Sequence, residues 1–384
     1  MKAMQRWLGL GVLGMFFFMV VVDGSIVTIA VPTMARALHV GTASVNLVIS
    51  VYLITISALL LPFGQLGDRI GRTRLFQMGT AGFVLGSWLA GATNNLSVVL
   101  IGRVIQAIGA SMTMATSYAV VTDLFPPEQL GRAFGIESIF ISLGALAGPG
   151  LGGLILANWG WREIFWVNVP IGVVCLVLSV WTLPKNVSHL QNARFDWLGV
   201  GGLILLAGGF YAVSGLAGRQ PVIALVGLAV IGLVLWGWLQ VEKRKSAPLF
   251  EASLLKGEKV ATPLLASFLS FIAAYAFVLL APIYLQLVVH LDSRITGLVL
   301  MAGPLAALVA NPLAGVLVDH WGQATLMRIG MVIMLIAQLG LIALSGVGEP
   351  WWVIIWSVIS VIGTALFTTA ANTQIMTGVT AAHR

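Results

Sequence analysis

The chain has 384 residues, of which 59% are hydrophobic and only 9% are charged. Because a soluble domain cannot cover so much apolar surface with polar side chains, this composition excludes a soluble protein and predicts a polytopic membrane protein. The net charge of +7 is explained by basic loops beside anionic lipid, so we expect no nucleic-acid partner.

Twelve apolar segments of about 20 residues follow one another along the chain, and that length allows an α-helix to cross the hydrocarbon core. Alternating strand-like segments are absent, so we predict an all-α polytopic membrane protein with about 12 transmembrane helices. The segments begin near Trp7, Val45, Leu75, Leu96, Ala133, Ile164, Trp197, Pro221, Thr262, Ile295, Thr325 and Trp351. Most lysines and arginines then fall on one side of the membrane, which predicts that both termini are cytoplasmic.

Charged residues interrupt the first and fourth apolar segments: Asp23 lies in the first and Arg103 in the fourth. An ionised side chain at bilayer depth costs at least about 2.5–3.5 kcal/mol on insertion scales, so each is a candidate functional residue. Helical rise places each of them about 12 Å below the outer end of its segment. Two interpretations follow: a proton on Asp23 releases Arg103 and couples transport to protons, or the two form a permanent structural ion pair.

A repeated motif divides the chain. Residues 64–71 and 315–322 both read G-x-L-x-D-x-x-G, and each copy closes one apolar segment before the next begins. Two halves of like topology are implied. We assign residues 1–190 to a six-helix first half, 191–245 to an inserted helix pair, 246–259 to a cytoplasmic linker, and 260–384 to a second half with four helices.

Three further stretches carry recognisable patterns. Residues 23–32 read D-G-S-I-V-T-I-A-V-P, residues 100–109 read L-I-G-R-V-I-Q-A-I-G, and residues 144–153 read G-A-L-A-G-P-G-L-G-G. Together with the loop motif at residues 64–74, they resemble the major facilitator superfamily, and specifically its fourteen-span drug:proton antiporter branch, the EmrB/QacA-like transporters. That branch has six, two and six spans, whereas six, two and four are counted here, so we expect a chain that lacks the last two spans.

The resemblance implies a secondary transporter of the bacterial plasma membrane that exports amphipathic drugs or toxic compounds, including cationic ones, in exchange for protons. The implied partners are the substrate, protons and membrane lipid, with a periplasmic adaptor as a further candidate in a Gram-negative host. No catalytic or metal-binding motif is recognised, so we expect no enzyme activity, no metal and no cofactor besides the proton gradient. Two alternatives stay open: an exporter of a physiological metabolite, lipid-like molecule or amino acid, and a non-transporting remnant or subunit.

The loop motif is expected to act on conformation. In the family its aspartate, here Asp68, caps a helix of the opposite half, and a motif arginine pairs with an acid at the end of span four, where Asp123 lies. The residues concerned are Gly64, Gly67, Asp68, Arg69, Gly71, Arg72 and Asp123. We expect Asp68, Arg69, Arg72 and Arg74 on a short cytoplasmic turn. The alternative for the arginines is a cluster that only sets membrane topology.

The glycine-rich stretch in span five resembles the antiporter motif of that branch, with Gly144, Gly148, Pro149, Gly152 and Gly153 at its fixed positions. Glycines four residues apart share one helix face and let another helix approach closely, while proline removes one backbone donor. The resemblance implies a seal against leakage between the halves. The alternative is a plain packing face.

Three polar residues at membrane depth are candidates for the substrate path. Glu137 in span five could line a vestibule, bind a cationic substrate, or pair with Arg132 or a loop arginine. Gln286 and Asn311 lie in later spans and could face the cavity, although lone amides in membrane helices more often bond a neighbouring helix.

Overall fold

The computed structural model describes residues 3–184, 196–216, 220–243, 245, 258–291, 293–343 and 349–378. Most of the predicted linker, 246–259, lies outside the described residues. Within the described ranges all regular secondary structure is helical, which confirms the predicted fold class. The orientation of the termini stays a prediction.

Every predicted apolar segment coincides with one helix, except that the sixth and tenth segments each coincide with two consecutive helices. The helices are α1 (Ala3–Ala37), α2 (Thr42–Ile70), α3 (Arg72–Gly91), α4 (Leu96–Leu124), α5 (Leu130–Asn158), α6 (Glu163–Trp166), α7 (Asn168–Thr182), α8 (Trp197–Leu216), α9 (Pro221–Glu242), α10 (Glu258–Leu287), α11 (Ser293–Leu300), α12 (Ala302–Trp321), α13 (Gln323–Ala343) and α14 (Pro350–Gly378), with a short 3-10 helix at Pro127–Gln129.

Ten helical stretches in the described part of the chain are long and apolar enough to cross a membrane. Helix α3, which begins with Arg72 and Arg74, is not among them. Helices α8 and α9 are the least covered, with 11% of the most apolar window of each buried by protein. A helix that is apolar on all sides and still exposed is stable in lipid rather than water, so the chain is a multi-pass membrane protein.

The chain divides into two compact units by its internal contacts. The first comprises residues 1–12, 19–120 and 148–253. In it α3 packs against α7, α2 packs against α8, and α8 packs against α9. Large aromatic side chains fill the interior, including Phe76, Phe83 and Phe165, which are fully buried.

The second unit comprises residues 13–18, 121–147 and 254–384. Its core lies where α12 and α13 pack on α14, around Ala314, Leu326 and Phe367. Helices α13 and α14 approach through glycines: a Cβ on Gly330 would lie 2.7 Å from the backbone oxygen of Gly363. Close backbone approach through small residues is how membrane helices gain packing energy without a hydrophobic driving force.

The two copies of the repeated motif have the same local structure. Each ends a long helix at a glycine with positive φ, Gly71 at 101° and Gly322 at 81°. Glycine adopts that conformation without a steric cost from a Cβ. The repeat in the sequence therefore corresponds to a repeated helix–glycine–helix junction.

Candidate functional site

Asp23 and Arg103, the two predicted intramembrane charges, lie in direct contact in the first unit. The Nη1 atom of Arg103 donates to Oδ2 of Asp23 over 2.6 Å, and each residue is only 1% exposed. Helix α1 carries the carboxylate and α4 the guanidinium. Two opposite charges buried together neutralise each other, whereas either alone would be very costly.

Two amide side chains complete the coordination of the Asp23 carboxylate. Gln106 Nε2 and Asn168 Nδ2 each donate to Oδ1 over 2.9 Å, and both residues are buried. The two carboxylate oxygens together thus accept three hydrogen bonds. Sequence reasoning missed both amides, although Gln106 follows Arg103 by three residues and so lies on the same face of α4.

Arg103 also has partners that carry no charge. Its Nε donates to the backbone oxygen of Val48 over 3.1 Å, and its Nη1 donates to Gln106 Oε1 over 2.7 Å. The guanidinium carbon lies 3.9 Å from the centre of the Tyr52 ring and 5.7 Å from that of Phe165. A guanidinium over an aromatic face gains a cation–π interaction, which is larger away from water. These neutral partners hold the guanidinium in addition to the Asp23 carboxylate.

The Gln106 amide bridges the two charges. It accepts from Arg103 through Oε1 and donates through Nε2 to Asp23, and the same Nε2 lies 2.8 Å from Ser87 Oγ. The Gln106 amide thus fixes the distance between the Asp23 carboxylate and the Arg103 guanidinium. Nearby, the hydroxyl of Tyr52 is buried and has no hydrogen-bond partner among the described residues. The network therefore lies beside one unsatisfied polar group.

The glycine-rich stretch of α5, residues 144–153, packs on α1 beside this network. A Cβ on Gly148 would lie 1.8 Å from Ser25 Oγ, and one on Gly152 would lie 3.3 Å from Ile26 Cγ1. Ser25 follows Asp23 by two residues, and its hydroxyl is bonded back to α1 through the oxygens of Val21 and Val22. Gly148 therefore admits α1 at the level of Asp23.

The remaining members of that motif differ in their surroundings. Gly144 is buried, whereas Gly153 is exposed and a Cβ there would meet nothing within 4 Å. For Pro149 only the backbone, within α5, is described.

The first loop motif is more helical than predicted. Asp68 and Arg69 lie in the last turn of α2 and Arg72 begins α3, so the expected charged turn shrinks to Gly71 alone. Asp68 Oδ1 accepts from Arg72 Nε over 2.9 Å. The prediction was wrong because a single glycine with positive φ reverses the chain without a longer loop.

The glycines of that motif have unequal roles. Gly67 is required for close packing, since a Cβ there would lie 2.6 Å from Thr116 Cγ2, while one on Gly64 would meet nothing within 4 Å. Asp123 is exposed in the last turn of α4. Its pairing with a motif arginine stays a prediction.

The second copy of the motif makes a helix-end contact in the second unit. Asp319, the aspartate of this copy, lies in the last turn of α12, since that helix continues to Trp321. Arg132 Nε lies 3.3 Å from Asp319 Oδ2, and the backbone amides of Gly131 and Arg132 hydrogen-bond to the same carboxylate. A carboxylate at the first turn of α5 satisfies backbone donors that the helix leaves open.

Glycines bring these two helices together. A Cβ on Gly315 would lie 2.6 Å from the backbone oxygen of Gly131, and one on Gly135 would lie 2.9 Å from that of Asn311. The α5 and α12 backbones are therefore in contact where Asp319 caps α5.

The sequence profile described as "Major Facilitator Superfamily" matches residues 13–384. This chain belongs to the Major Facilitator Superfamily. It is 31% identical over 376 residues to "Riboflavin transporter RibZ" of Clostridioides difficile (strain 630), a match that covers 98% of this chain and 82% of RibZ. It is also 31% identical over 336 residues to "Multidrug resistance protein Stp" of Mycobacterium tuberculosis (strain CDC 1551 / Oshkosh), covering 86% of this chain and 62% of Stp.

Among solved structures, this Major Facilitator protein is similar to the proton:xylose symporter XylE bound to 6-bromo-6-deoxy-D-glucose. The TM-score is 0.67 at 15% identity, and the match covers 98% of this chain and 82% of XylE. At that identity the likeness shows the fold alone. Family and relatives together identify a transporter rather than an enzyme.

The predicted substrate-path residues lie in the second unit of this Major Facilitator protein. Glu137 is 1% exposed in α5. Asn311 Nδ2 donates to Ser142 Oγ over 2.8 Å and to the backbone oxygen of Ser138 over 3.2 Å, so this amide bonds α12 to α5. For Gln286 only the backbone, in α10, is described. Their roles in substrate binding stay predictions.

A charged cluster joins the ends of α8 and α9. Lys245 Nζ donates to Asp196 and, over 2.5 Å, to Glu242, and Asp196 caps α8 by accepting from the Gly199 amide. Burial alone would raise the pKa of Asp196, but the hydrogen bonds from Lys245 and Gly199 outweigh it and hold that pKa below its usual range. Burial would lower the pKa of Lys245, but the two carboxylates outweigh it and raise that pKa.

Among the described residues no three histidine, cysteine, aspartate or glutamate side chains are grouped so that they could hold a metal ion.

Proposed function

We propose that this Major Facilitator protein is a proton-coupled exporter of amphipathic compounds, including cationic ones, that works by alternating access. The observation that carries the proposal is the buried Asp23 carboxylate, which binds Arg103 through one oxygen and two amides through the other. Ionisable groups inside a membrane protein commonly form proton relays, and a carboxylate paired with a cation can exchange that cation for a proton.

In the proposed step a proton binds Asp23 at Oδ2, the oxygen that Arg103 contacts. Oδ1 then remains an acceptor for Gln106 and Asn168, so the neutral carboxyl group keeps two of its three donors. The proton and Arg103 Nη1 compete for the same oxygen, and the Arg103–Asp23 bond opens. The product is a neutral acid beside a cation.

Arg103 does not become an isolated charge in this step. The Val48 oxygen, Gln106 Oε1 and the Tyr52 ring continue to stabilise the guanidinium. A buried cation without any partner would make protonation of the acid too costly at physiological pH. The neutral partners thus reduce the energy difference between the two protonation states, as a reversible proton carrier requires.

The contact of α1 with α5 provides a route from this step to conformation. Ser25 and Gly148 touch two residues from Asp23, so a shift of α1 on protonation changes the packing between α1 and the antiporter motif. Contacts this tight have discrete arrangements rather than continuous ones. We infer that protonation selects between two access states through this contact.

The assignment of substrate class is supported by relatives whose names describe drug resistance, including Stp. A second candidate is export of a physiological solute, which is favoured by the match to the riboflavin transporter RibZ. Both candidates use the same protonation step and differ only in what is bound. Location in a bacterial plasma membrane, membrane lipid as surroundings and a periplasmic adaptor as partner belong to the same proposal.

Substrate-induced proton release tests the proposal. Purified protein is kept in detergent solution at neutral pH with little buffer. Ethidium is then added, and a pH-sensitive dye reports the protons that the protein releases. We expect proton release from the wild type and none from Asp23→Asn, because an asparagine amide does not gain or lose a proton near neutral pH. Glu128→Gln, which removes an exposed carboxylate, serves as the matched control and keeps the release. Equal release from Asp23→Asn and wild type would refute the assignment of Asp23.

A further inference from the structure

Asn168 bonds to Asp23 through only one of the two polar atoms of its amide. Its Nδ2 donates to Asp23 Oδ1 over 2.9 Å, whereas its own Oδ1 is buried and has no hydrogen-bond partner among the described residues. The whole residue is only 1% exposed. Buried amides normally use both their donors and their acceptor, so the unused acceptor of Asn168 beside a titratable carboxylate requires an explanation.

The fold holds Asn168 at the level of Asp23 where the sixth apolar segment is interrupted. Helix α6 ends at Trp166, and Asn168 is the first residue of α7. Pro170 follows two residues later and has no backbone N–H, which favours the start of a new helix there. Gly172 then packs closely on α3, since a Cβ there would lie 2.3 Å from Val84 Cγ2. The start of α7 is therefore fixed beside Asp23.

The ionised and neutral forms of Asp23 need different partners. An ionised carboxylate only accepts hydrogen bonds, whereas a neutral carboxyl group also carries an O–H that donates one. Of the three side chains that bond to Asp23, Arg103 has donors only, and Gln106 Oε1 already accepts from Arg103. Asn168 Oδ1 is thus the unused acceptor among these three.

We propose that Asn168 is a positioning residue that holds the neutral form of Asp23 by donating to it and accepting from it at once. A carboxyl group and a primary amide can pair through two hydrogen bonds, and the bond from Nδ2 to Asp23 Oδ1 is one of them. The second forms from Oδ2–H to Asn168 Oδ1 after the proton has displaced Arg103 from Oδ2. The proton stays covalently bound to Asp23, and Asn168 changes only its hydrogen bonds.

This inference rests on the proposed protonation of Asp23 and adds the group that accepts the new O–H. A buried O–H without an acceptor is unfavourable, so an acceptor within reach favours reversible protonation. Tyr52 is the competing candidate, because its buried hydroxyl also lacks a partner among the described residues. Its ring, however, faces Arg103 at 3.9 Å, whereas Asn168 is already bonded to the carboxylate. The contacts therefore favour Asn168.

Infrared difference spectra between neutral and acidic pH test this role on the purified chain, with asparagine isotope-labelled at the side-chain carbonyl carbon. We expect acidification to produce the carbonyl band of a neutral Asp23 carboxyl group. We also expect one labelled asparagine carbonyl band to move to lower frequency, because accepting a hydrogen bond weakens the carbonyl bond. Both changes should be absent from Asp23→Asn.

Variants assign the two bands. Asn168→Leu should remove the shifted asparagine band and move the Asp23 carboxyl band to higher frequency, because the O–H has lost its acceptor. Asn168→Ser also removes the amide carbonyl and serves if the leucine variant folds poorly. Tyr52→Phe should keep the asparagine shift. The matched control is Asn158→Leu, which changes an exposed asparagine bonded back to its own helix and leaves both bands as in the wild type.

Three results would overturn the inference. An unshifted asparagine carbonyl despite an Asp23 carboxyl band would mean that Asn168 only donates, while Asp23 remains a proton carrier and the proposed function stands. An Asp23 carboxyl band that moves in Tyr52→Phe but not in Asn168→Leu or Asn168→Ser would assign the acceptor to Tyr52. If no Asp23 carboxyl band appears at any pH at which the protein stays folded, both proposals fail.

Discussion

Asp23→Asn should destabilise the protein far more than its small change in shape suggests. The carboxylate accepts from Arg103 at Oδ2 and from two amides at Oδ1. An asparagine amide must place its NH₂ group at one of these positions, so at least one donor there faces another donor. The Arg103 charge also loses its counter-ion in an environment where it is 1% exposed. Breaking a buried pair by removing one partner costs about 3–5 kcal/mol.

A double-mutant cycle separates this cost from ordinary damage. Asp23→Leu alone and Arg103→Met alone should each cost a similar amount, because each leaves one charge buried with only neutral partners. Combining Asp23→Leu with Arg103→Met removes both charges and should recover most of the loss, since a buried pair replaced by apolar side chains is often neutral or stabilising. The assay is unfolding in mixed micelles with a denaturing detergent, followed by tryptophan fluorescence.

Glu128→Gln is the control, and it should stay within about 0.5 kcal/mol of the wild type because its side chain is exposed. The reasoning is refuted if Asp23→Asn is as stable as this control. It is also refuted if the two single changes simply add in the double variant, because residues in direct contact must couple.

Other parts of the structure make predictions of the same kind. Gly148→Ala should abolish gradient-driven transport because its methyl group would meet Ser25, whereas Gly150→Ala, whose methyl group would meet nothing within 4 Å, should keep it. Ethidium flux in vesicles measures both variants, and equal flux would contradict the packing argument. Gly315→Ala should destabilise the protein by about 1–3 kcal/mol, since its methyl group overlaps the α5 backbone, and unfolding in mixed micelles measures it. The stability difference between wild type and Asp196→Asn should be constant from about pH 5 to pH 9. It should shrink in acid, as pH falls through the lowered pKa of Asp196, and in alkali, as pH rises through the raised pKa of Lys245; a difference independent of pH would contradict the ion pair.

The helices could be predicted from the sequence because length and hydrophobicity alone decide whether a segment can cross a bilayer. That Asp23 and Arg103 lie at one level could be predicted as well, since helical rise is constant, and the two side chains are in contact. Helices α3 and α10 show the limit, because both are helical although neither is among the ten long apolar stretches.

The partners of the charged pair could not be predicted from pattern. Gln106 and Asn168 are neutral, and one sequence gives no reason to prefer them over other buried amides until the helices are packed. The contact of Asp319 with α5 could not be predicted either, because it depends on how α12 packs against the backbone amides of Gly131 and Arg132.

Uptake of ethidium into everted membrane vesicles tests the central claim most directly. Wild-type protein and Asp23→Asn are compared at matched expression, with an imposed pH gradient and after its collapse by an ionophore. We expect uptake by the wild type only while the gradient exists, and no gradient-dependent uptake by Asp23→Asn. Gradient-dependent uptake by Asp23→Asn at the wild-type rate would contradict proton coupling through Asp23 and leave the buried pair a structural one.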